Sequence, residues 1–154
     1  MALGPVSPGP RRALMPDSLE RFVQAQDPLI AQVRRELADG HKRTHWMWFV
    51  FPQLAGLGHS PMARHYALAS LAEAKSYLTH PVLGPRLIEL TDLVNQLDGA
   101  SVHAIFGDPD ALKFHSSITL FACAAPDLPV FRDALAKYFD GAADPLTTTL
   151  LSKP

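Results

Sequence analysis

Apolar residues recur at helical spacing along most of the chain, between residues that typically start and stop helices. Leu19, Phe22 and Val23 share one side of a first predicted helix, and Asp17 with Glu20 has the spacing of a capping box at its start. A capping residue followed directly by proline is a second start signal, and it occurs at Asp27-Pro28, Ser60-Pro61, Asp108-Pro109 and Asp144-Pro145. The pattern therefore predicts a succession of short helices.

Further boundary signals continue to the end of the chain. In order, they are a stop at Gly40, a second capping box at Ser70 and Glu73, a stop at Gly99, a cap at Ser101 with a stop at Gly107, and a stop at Gly141. No Asn-Gly or Asp-Gly turn separates two alternating runs, so nothing supports a hairpin or a sheet. We predict an all-α fold, a compact single-domain bundle of about seven to nine short helices.

One segment fits two interpretations. Residues 45–51, with the sequence HWMWFVF, are apolar on every face and would suit a buried helix or a buried strand. A lone strand would leave its backbone groups without hydrogen-bond partners. We therefore predict a helix that Thr44 caps and Pro52 ends, with Trp46 and Phe49 buried.

Composition indicates a folded domain behind a short leader. Of the 154 residues, 47% are hydrophobic and 19% are charged, which is enough apolar material for a core. Residues 1–16 are rich in proline and are predicted to be a flexible leader, so 17–154 is assigned to one all-α domain. The start lacks the apolar stretch of a signal peptide, and no apolar run reaches membrane-spanning length. We expect a cytoplasmic protein that makes no membrane contact.

Charge and residue type weigh against several classes of function. The net charge is −1 and no predicted helix carries a basic stripe, so nucleic-acid binding is the weakest hypothesis. The seven histidines form no zinc motif, and we predict no metal site. The single Cys123 lies in an apolar stretch, where we expect it to be buried and inert. Cofactor and oligomeric state stay open.

The most informative stretch surrounds the HWMWF motif. Lys42 and Arg43 precede this predicted helix, while His45, Trp46 and Trp48 belong to it. A helix N-terminus favours an anion, so cations placed there suggest a phosphate or carboxylate between them, with an aromatic wall for a ring. The other interpretation is a solvated loop followed by a Trp-rich core segment.

A second candidate region lies on a predicted helix in the last third of the chain. Lys113, Ser116 and Ser117 lie opposite its main apolar arc, but Leu112 and Leu120 are interleaved with them, which suggests that this side is covered as well. A buried ammonium group needs an acidic partner or an anionic ligand. Alternatively, Lys113 extends to solvent along its aliphatic stem.

These observations leave two main hypotheses for function. The first is a pocket for a small anionic ligand that contains a ring, such as a nucleotide or an ADP-ribose-like compound, with His45 the candidate for acid–base chemistry. The predicted ligand-binding residues are Lys42, Arg43, His45, Trp46, Trp48, Arg64, Tyr66, Lys113, Ser116 and Ser117. Arg64 and Tyr66 enter only because they lie near the basic-aromatic stretch in sequence. The second hypothesis is a protein-interaction or structural module without catalysis, and the sequence does not decide whether the protein is an enzyme.

The chain resembles the family known as domain of unknown function 1810 from about Leu19 to Leu151. Four stretches carry the resemblance: LERFVQAQ at 19–26, KRTHWMWFVFPQ at 42–53, SPMARHY at 60–66 and LKFHSSITLF at 112–121. The resemblance implies an all-α fold and brings no established activity or cofactor. His41 and His115 stand where related chains often have arginine, which weakens the case for a strongly cationic pocket. Some members carry a calpastatin label, but calpastatin is disordered and this composition is that of a folded protein.

Overall fold

The computed structural model describes residues 15–153, and helices account for most of this part of the chain. The leader predicted for residues 1–16 lies outside it, except for the last two residues, which are helical. The helices are α1 (Met15–Gln26), α2 (Ile30–Ala38), α3 (Met47–Val50), α4 (Pro61–His65), α5 (Leu71–Thr79), α6 (Leu83–Asn95), α7 (Val102–Phe106), α8 (Asp110–Ala124), α9 (Pro129–Phe139) and α10 (Pro145–Leu151). The all-α prediction is confirmed, with ten helices in 15–153, one more than the upper end of the predicted range.

Four of the predicted caps are present with their hydrogen bonds. Ser60, Ser70 and Ser101 each accept the backbone N–H of the third residue that follows, and Asp144 does the same for Thr147. Each bond satisfies a backbone donor that the first turn of a helix would otherwise leave free. Gly107 ends α7 with φ +72°, in the left-handed region that favours glycine.

The other predicted helix starts are wrong in detail. Helix α1 begins at Met15, so Asp17 lies inside it. Helix α2 begins two residues after Pro28, with Leu29 as an N-cap that makes no side-chain bond. Helix α8 begins at Asp110, after Pro109, and not at the proline.

The segment around the tryptophans forms a single helical turn, Met47–Val50. Trp46 and Phe49 are buried as predicted, with relative exposures of 0% and 6%. Thr44 does not cap this turn, because its hydroxyl and amide groups bind Glu36 instead. Beyond the turn, an isolated parallel bridge joins Leu54 to Leu68, and no strand forms in 15–153.

Helix α8 lies at the centre of the core. It packs against α5, α7, α9 and α10, while α6 packs against α2, α5 and α9. Its Phe114, Ile118 and Phe121 are fully buried, and apolar burial of this kind is the main driving force for folding. Leu112, on the first turn, is 66% exposed, so the predicted covering of that side is wrong there.

Cys123 also departs from expectation, because it is exposed on the last turn of α8. Partial burial of the thiol raises its pKa, which disfavours the reactive thiolate. Within the part of the chain that the structure describes, no helix has the length and apolar character needed to cross a bilayer.

Candidate functional site

A cavity of about 300 Å³ opens between the loop before α3 and the start of α8. It is lined by Lys42, His45, Met47, Trp48, Asp108, Pro109, Asp110 and Lys113. The fold therefore brings together four residues that the sequence suggested from two distant regions: Lys42, His45, Trp48 and Lys113. The volume is at the small end of the range for ligand pockets.

Asp110 is the acidic centre of this cavity, and it faces two lysines. Its Oδ2 lies 2.8 Å from the Lys42 Nζ, and its Oδ1 lies 3.8 Å from the Lys113 Nζ. The Asp110 side chain is 19% exposed, so its charge is largely removed from water. One carboxylate is thus shared between two ammonium groups.

Lys42 is held rigidly and is almost buried, with a side chain only 5% exposed. Besides Asp110, its Nζ donates to the carbonyl oxygen of Thr44 at 2.5 Å and lies 4.9 Å from the centre of the Trp46 ring. Its backbone N–H donates to the carbonyl of Ile105 in α7 at 2.7 Å. These contacts offset the cost of burying the ammonium group, because it is both paired and hydrogen-bonded.

Lys113 is held more loosely. Its side chain is 24% exposed, and the 3.8 Å separation from Asp110 is too long for a hydrogen bond. The Lys113 Nζ lies over the ring of Trp48, 5.2 Å from the ring centre. A cation at this distance from an indole face gains about 0.5–1 kcal/mol when partly exposed. The ammonium group keeps donors that a ligand can use.

The loop that carries Lys42 is organised by a buried glutamate that the sequence analysis missed. Glu36 of α2 is 3% exposed. Its Oε1 accepts from the backbone N–H groups of Arg43 and Thr44 and from the Trp46 indole, at 2.8, 3.2 and 3.0 Å. Its Oε2 accepts from the Thr44 hydroxyl at 2.8 Å and from the Gln32 amide at 3.0 Å.

This hydrogen bonding keeps Glu36 ionised. Burial by itself would raise its pKa, but the bonds from Arg43, Gln32, Thr44 and Trp46 outweigh that effect and lower the pKa to about 2. Spacing offered a signal for this residue: Glu36 follows Val33 by three positions and precedes Leu37, so it lies on the face of α2 that enters the core. An acid on such a face needs several donors.

Aromatic rings behind the cavity fix α8 against the loop. The Phe51 ring lies edge-on to Phe106 and Phe114, with ring centres 5.9 and 5.2 Å away. Phe106 and Phe114 stack at 4.5 Å, and Trp46 lies 6.3 Å from Phe51. Because these rings are buried and connect α3, α7 and α8, they determine where Asp110 and Lys113 meet Lys42.

Comparison with known proteins identifies the family of this chain. Residues 16–151 match the family model described as "Protein of unknown function (DUF1810)". The chain belongs to the DUF1810 family. Its fold is also similar to the crystal structure, at 1.38 Å, of the conserved hypothetical protein Rv1873 from Mycobacterium tuberculosis. The two are 54% identical, with a TM-score of 0.89 over 91% of this chain and 100% of that one. No curated protein matches the sequence.

The DUF1810 match extends over both halves of the cavity, but neither comparison names an activity or a ligand. Function must therefore be argued from the site itself.

The histidine at position 115 does not line the cavity. Its ring stacks on Phe139 at 3.9 Å, and its Nε2 lies 2.8 Å from the carbonyl oxygen of Ala142.

Several predicted site residues of this DUF1810 chain lie away from the cavity lining. Arg43 is half exposed and pairs with Asp39 at 3.3 Å. Arg64 is exposed on α4. Tyr66 packs between Phe22 and Phe49, with ring centres 5.6 and 5.3 Å away.

Three other predicted residues do not line the cavity: Trp46, Ser116 and Ser117. The Trp46 ring lies beneath Lys42, and its indole nitrogen is used by Glu36. Ser116 donates to the Asp144 carboxylate at 3.2 Å and lines the neighbouring cleft. Ser117 is fully buried, and its hydroxyl oxygen has no hydrogen-bond partner among the described residues.

That neighbouring cleft, of about 240 Å³, has an apolar character. It is lined by Gln53, Leu57, Gly58, Pro109, Leu112, Lys113, Ser116, Asp144 and Leu146. Pro109 and Lys113 line both the cavity and the cleft, so the two are adjacent. Leu112 and Leu146 are each 66% exposed at its edge.

Two acidic residues also line the cavity, although the sequence did not predict them as site residues. Asp110 precedes Lys113 by three positions, a spacing that puts the two side chains side by side on a helix. Asp108 also lines the cavity, but its carboxylate is 72% exposed and lies 3.0 Å from the Nδ1 of His103. Among the residues that the structure describes, no group of three or more histidine, cysteine or acidic side chains is arranged to hold a metal ion.

Proposed function

We propose that the cavity beside Lys113 binds a small anionic ligand that contains a planar ring, such as a nucleotide or an ADP-ribose-like compound. One observation carries the proposal: a single largely buried carboxylate, Asp110, faces the ammonium groups of both Lys42 and Lys113. Lys113 is therefore left without a hydrogen-bonded carboxylate, because Asp110 pairs closely with Lys42 and lies 3.8 Å from the Lys113 Nζ. Asp108 also lines the cavity, but its carboxylate is 72% exposed and lies beside His103.

The two lysines take different roles in this proposal. Lys42 and Asp110 form the fixed floor, because Lys42 is nearly buried and hydrogen-bonded. Lys113 is the residue that binds the anion, since its ammonium group lies beyond hydrogen-bond distance of Asp110. A charge-assisted bond to a phosphate or carboxylate would complete its coordination.

The ring of the ligand is assigned to Trp48. This side chain lines the cavity and is partly buried, and its face already receives the Lys113 ammonium group. A planar ring that packs against the part of this indole that Lys113 does not cover would bury apolar area beside the bound anion. His45 is exposed at the rim and is the candidate for acid–base chemistry if the ligand reacts.

The proposal is tested by ligand-induced thermal stabilisation. Adenosine 5′-monophosphate at ten times its dissociation constant should stabilise the wild type by about 1.4 kcal/mol, which raises the Tm of a domain this size by roughly 3–6 °C. Lys113→Met removes the charge but keeps the aliphatic stem over Trp48, and leaves the Lys42–Asp110 pair in place. We expect it to fold and to lose the Tm increase.

Two further variants make the result specific. Lys75→Met removes an exposed lysine on α5 that does not line the cavity, so it should keep the full increase. Trp48→Leu should reduce the response to the nucleotide more than the response to inorganic phosphate. If neither compound stabilises the wild type, or if Lys113→Met responds fully, the ligand site is wrong. The exposed Leu112 and Leu146 would then favour an interaction module.

A further inference from the structure

We infer that the ligand has two arms joined at its anionic group, with a planar ring in the cavity and an uncharged apolar arm in the cleft of about 240 Å³ beside it. This inference rests on the proposed function and specifies the class of ligand: a monoanion such as a phosphodiester of a nucleoside with an aryl or alkyl group. The geometry that leads to it is the shared position of Lys113 and Pro109, which line both spaces.

Lys113 lies at the junction of cavity and cleft. An anion bound to its ammonium group therefore has open volume on two sides, toward Trp48 and toward the leucines. The cavity alone holds little more than a mononucleotide, since 300 Å³ is the lower limit of usual pockets. Cavity and cleft together exceed roughly 500 Å³, which is well within that range.

The chemistry of the cleft selects the second arm. Leu57, Leu112 and Leu146 supply an apolar wall, and the two latter side chains are exposed when no ligand covers them. Of the residues described by the structure, the one acid that lines the cleft is Asp144, whose Oδ2 accepts from Thr147 and Ser116. A carboxylate at this place disfavours a second negative charge and is compatible with a neutral arm.

The charges that line the cavity favour the same class of ligand. Lys42 and Lys113 are balanced by Asp110 and the exposed Asp108, so a ligand with one negative charge meets less repulsion than a ligand with two. A phosphodiester carries one negative charge near neutral pH, whereas a terminal phosphate carries up to two. An ester linkage also provides the attachment for the apolar arm.

The test compares two esters of adenosine 5′-monophosphate that have the same charge. The methyl ester and the phenyl ester are both monoanions with the same nucleoside, and they differ only in the arm. We expect the phenyl ester to bind the wild type about tenfold more tightly by calorimetry, because it buries apolar area in the cleft. Lys113→Met should weaken both esters by a similar factor.

Substitutions in the cleft show whether the higher affinity for the phenyl ester arises there. Leu112→Ser and Leu146→Ser alter exposed side chains and should fold, and each should reduce the preference for the phenyl ester to about threefold or less. The affinity for the methyl ester should stay unchanged. Met62→Ser is the matched control, because Met62 is an exposed apolar residue that lines neither the cavity nor the cleft.

The outcomes separate this inference from the proposed function. Equal affinities for the two esters in the wild type, or a phenyl preference that survives in both leucine variants, would overturn the two-arm ligand. If the methyl ester still binds in a Lys113-dependent way, the proposed function stands without it. If neither ester binds the wild type, the two-arm ligand is wrong, and the response to adenosine 5′-monophosphate and to phosphate decides the proposed function.

Discussion

Replacing the buried Glu36 by glutamine should destabilise the protein in a manner that depends on pH. The glutamate accepts five hydrogen bonds, and in the folded state these lower its pKa from 4.5 to about 2. A shift of that size corresponds to about 3 kcal/mol, since each pKa unit contributes roughly 1.4 kcal/mol. Glutamine has nearly the shape of the protonated acid, so Glu36→Gln should lose about this amount at pH 7.

The sign of the pH effect follows from the direction of the shift. Because the folded-state pKa is below the unfolded value, the stabilisation is fully present above about pH 4.5 and is lost as the pH falls toward 2. At pH 3 the same shift contributes only about 1.4 kcal/mol. The difference in unfolding free energy between wild type and Glu36→Gln should therefore shrink to less than half between pH 7 and pH 3.

Urea unfolding at both pH values measures this difference directly. Glu20→Gln is the matched control, because it removes one carboxylate from the exposed face of α1 and should change stability by less than about 0.5 kcal/mol. The reasoning is refuted if Glu36→Gln lies within 0.5 kcal/mol of the wild type at pH 7. A large difference that is the same at pH 7 and pH 3 would refute the pKa argument alone.

Two more residues, Gly84 and Asp144, test a close contact between helices and a helix cap. Gly84→Ala should destabilise the protein by more than about 3 kcal/mol in urea unfolding, because the added Cβ would lie 2.0 Å from the backbone oxygen of Leu78. Helix propensity alone would favour alanine. A variant as stable as the wild type, or more stable, would contradict the close approach of α5 and α6. Asp144→Ala should lower the Tm by roughly 2–6 °C through loss of the α10 cap, and Asp144→Asn should lower it much less, because asparagine also caps helices. Equal losses in the two variants would show that the cap is not the cause.

Sequence patterns predicted the helices well where the determinants were local. Ser60, Ser70, Ser101 and Asp144 cap helices through bonds to residues three positions later, and this spacing is visible in the chain. Thr44 has the same chemistry, but its hydroxyl binds Glu36 on another helix. A contact made by the tertiary fold thus replaced a local one, which spacing alone cannot reveal.

The sequence suggested some residues of the cavity but missed others. Lys42, His45, Trp48 and Lys113 meet in one cavity, as the need to compensate buried cations suggested. An anion was expected between the cations, and between Lys42 and Lys113 lies a residue of the chain, Asp110. The argument from a helix N-terminus failed because α3 has four residues, too few for an appreciable dipole.

The contacts of Glu36 and Asp110 explain why Lys113 has no hydrogen-bonded carboxylate beside it. Glu36 lies close in sequence to Lys42, and an ion pair between them would have left Asp110 to balance Lys113 alone. Instead, neutral donors satisfy Glu36: two backbone N–H groups, an indole, a hydroxyl and an amide. Lys42 is then free to bind Oδ2 of Asp110, while Oδ1 lies 3.8 Å from the Lys113 Nζ. The arrangement of charges in the cavity is therefore set by how the loop folds on Glu36, and it does not depend on the net charge of the chain.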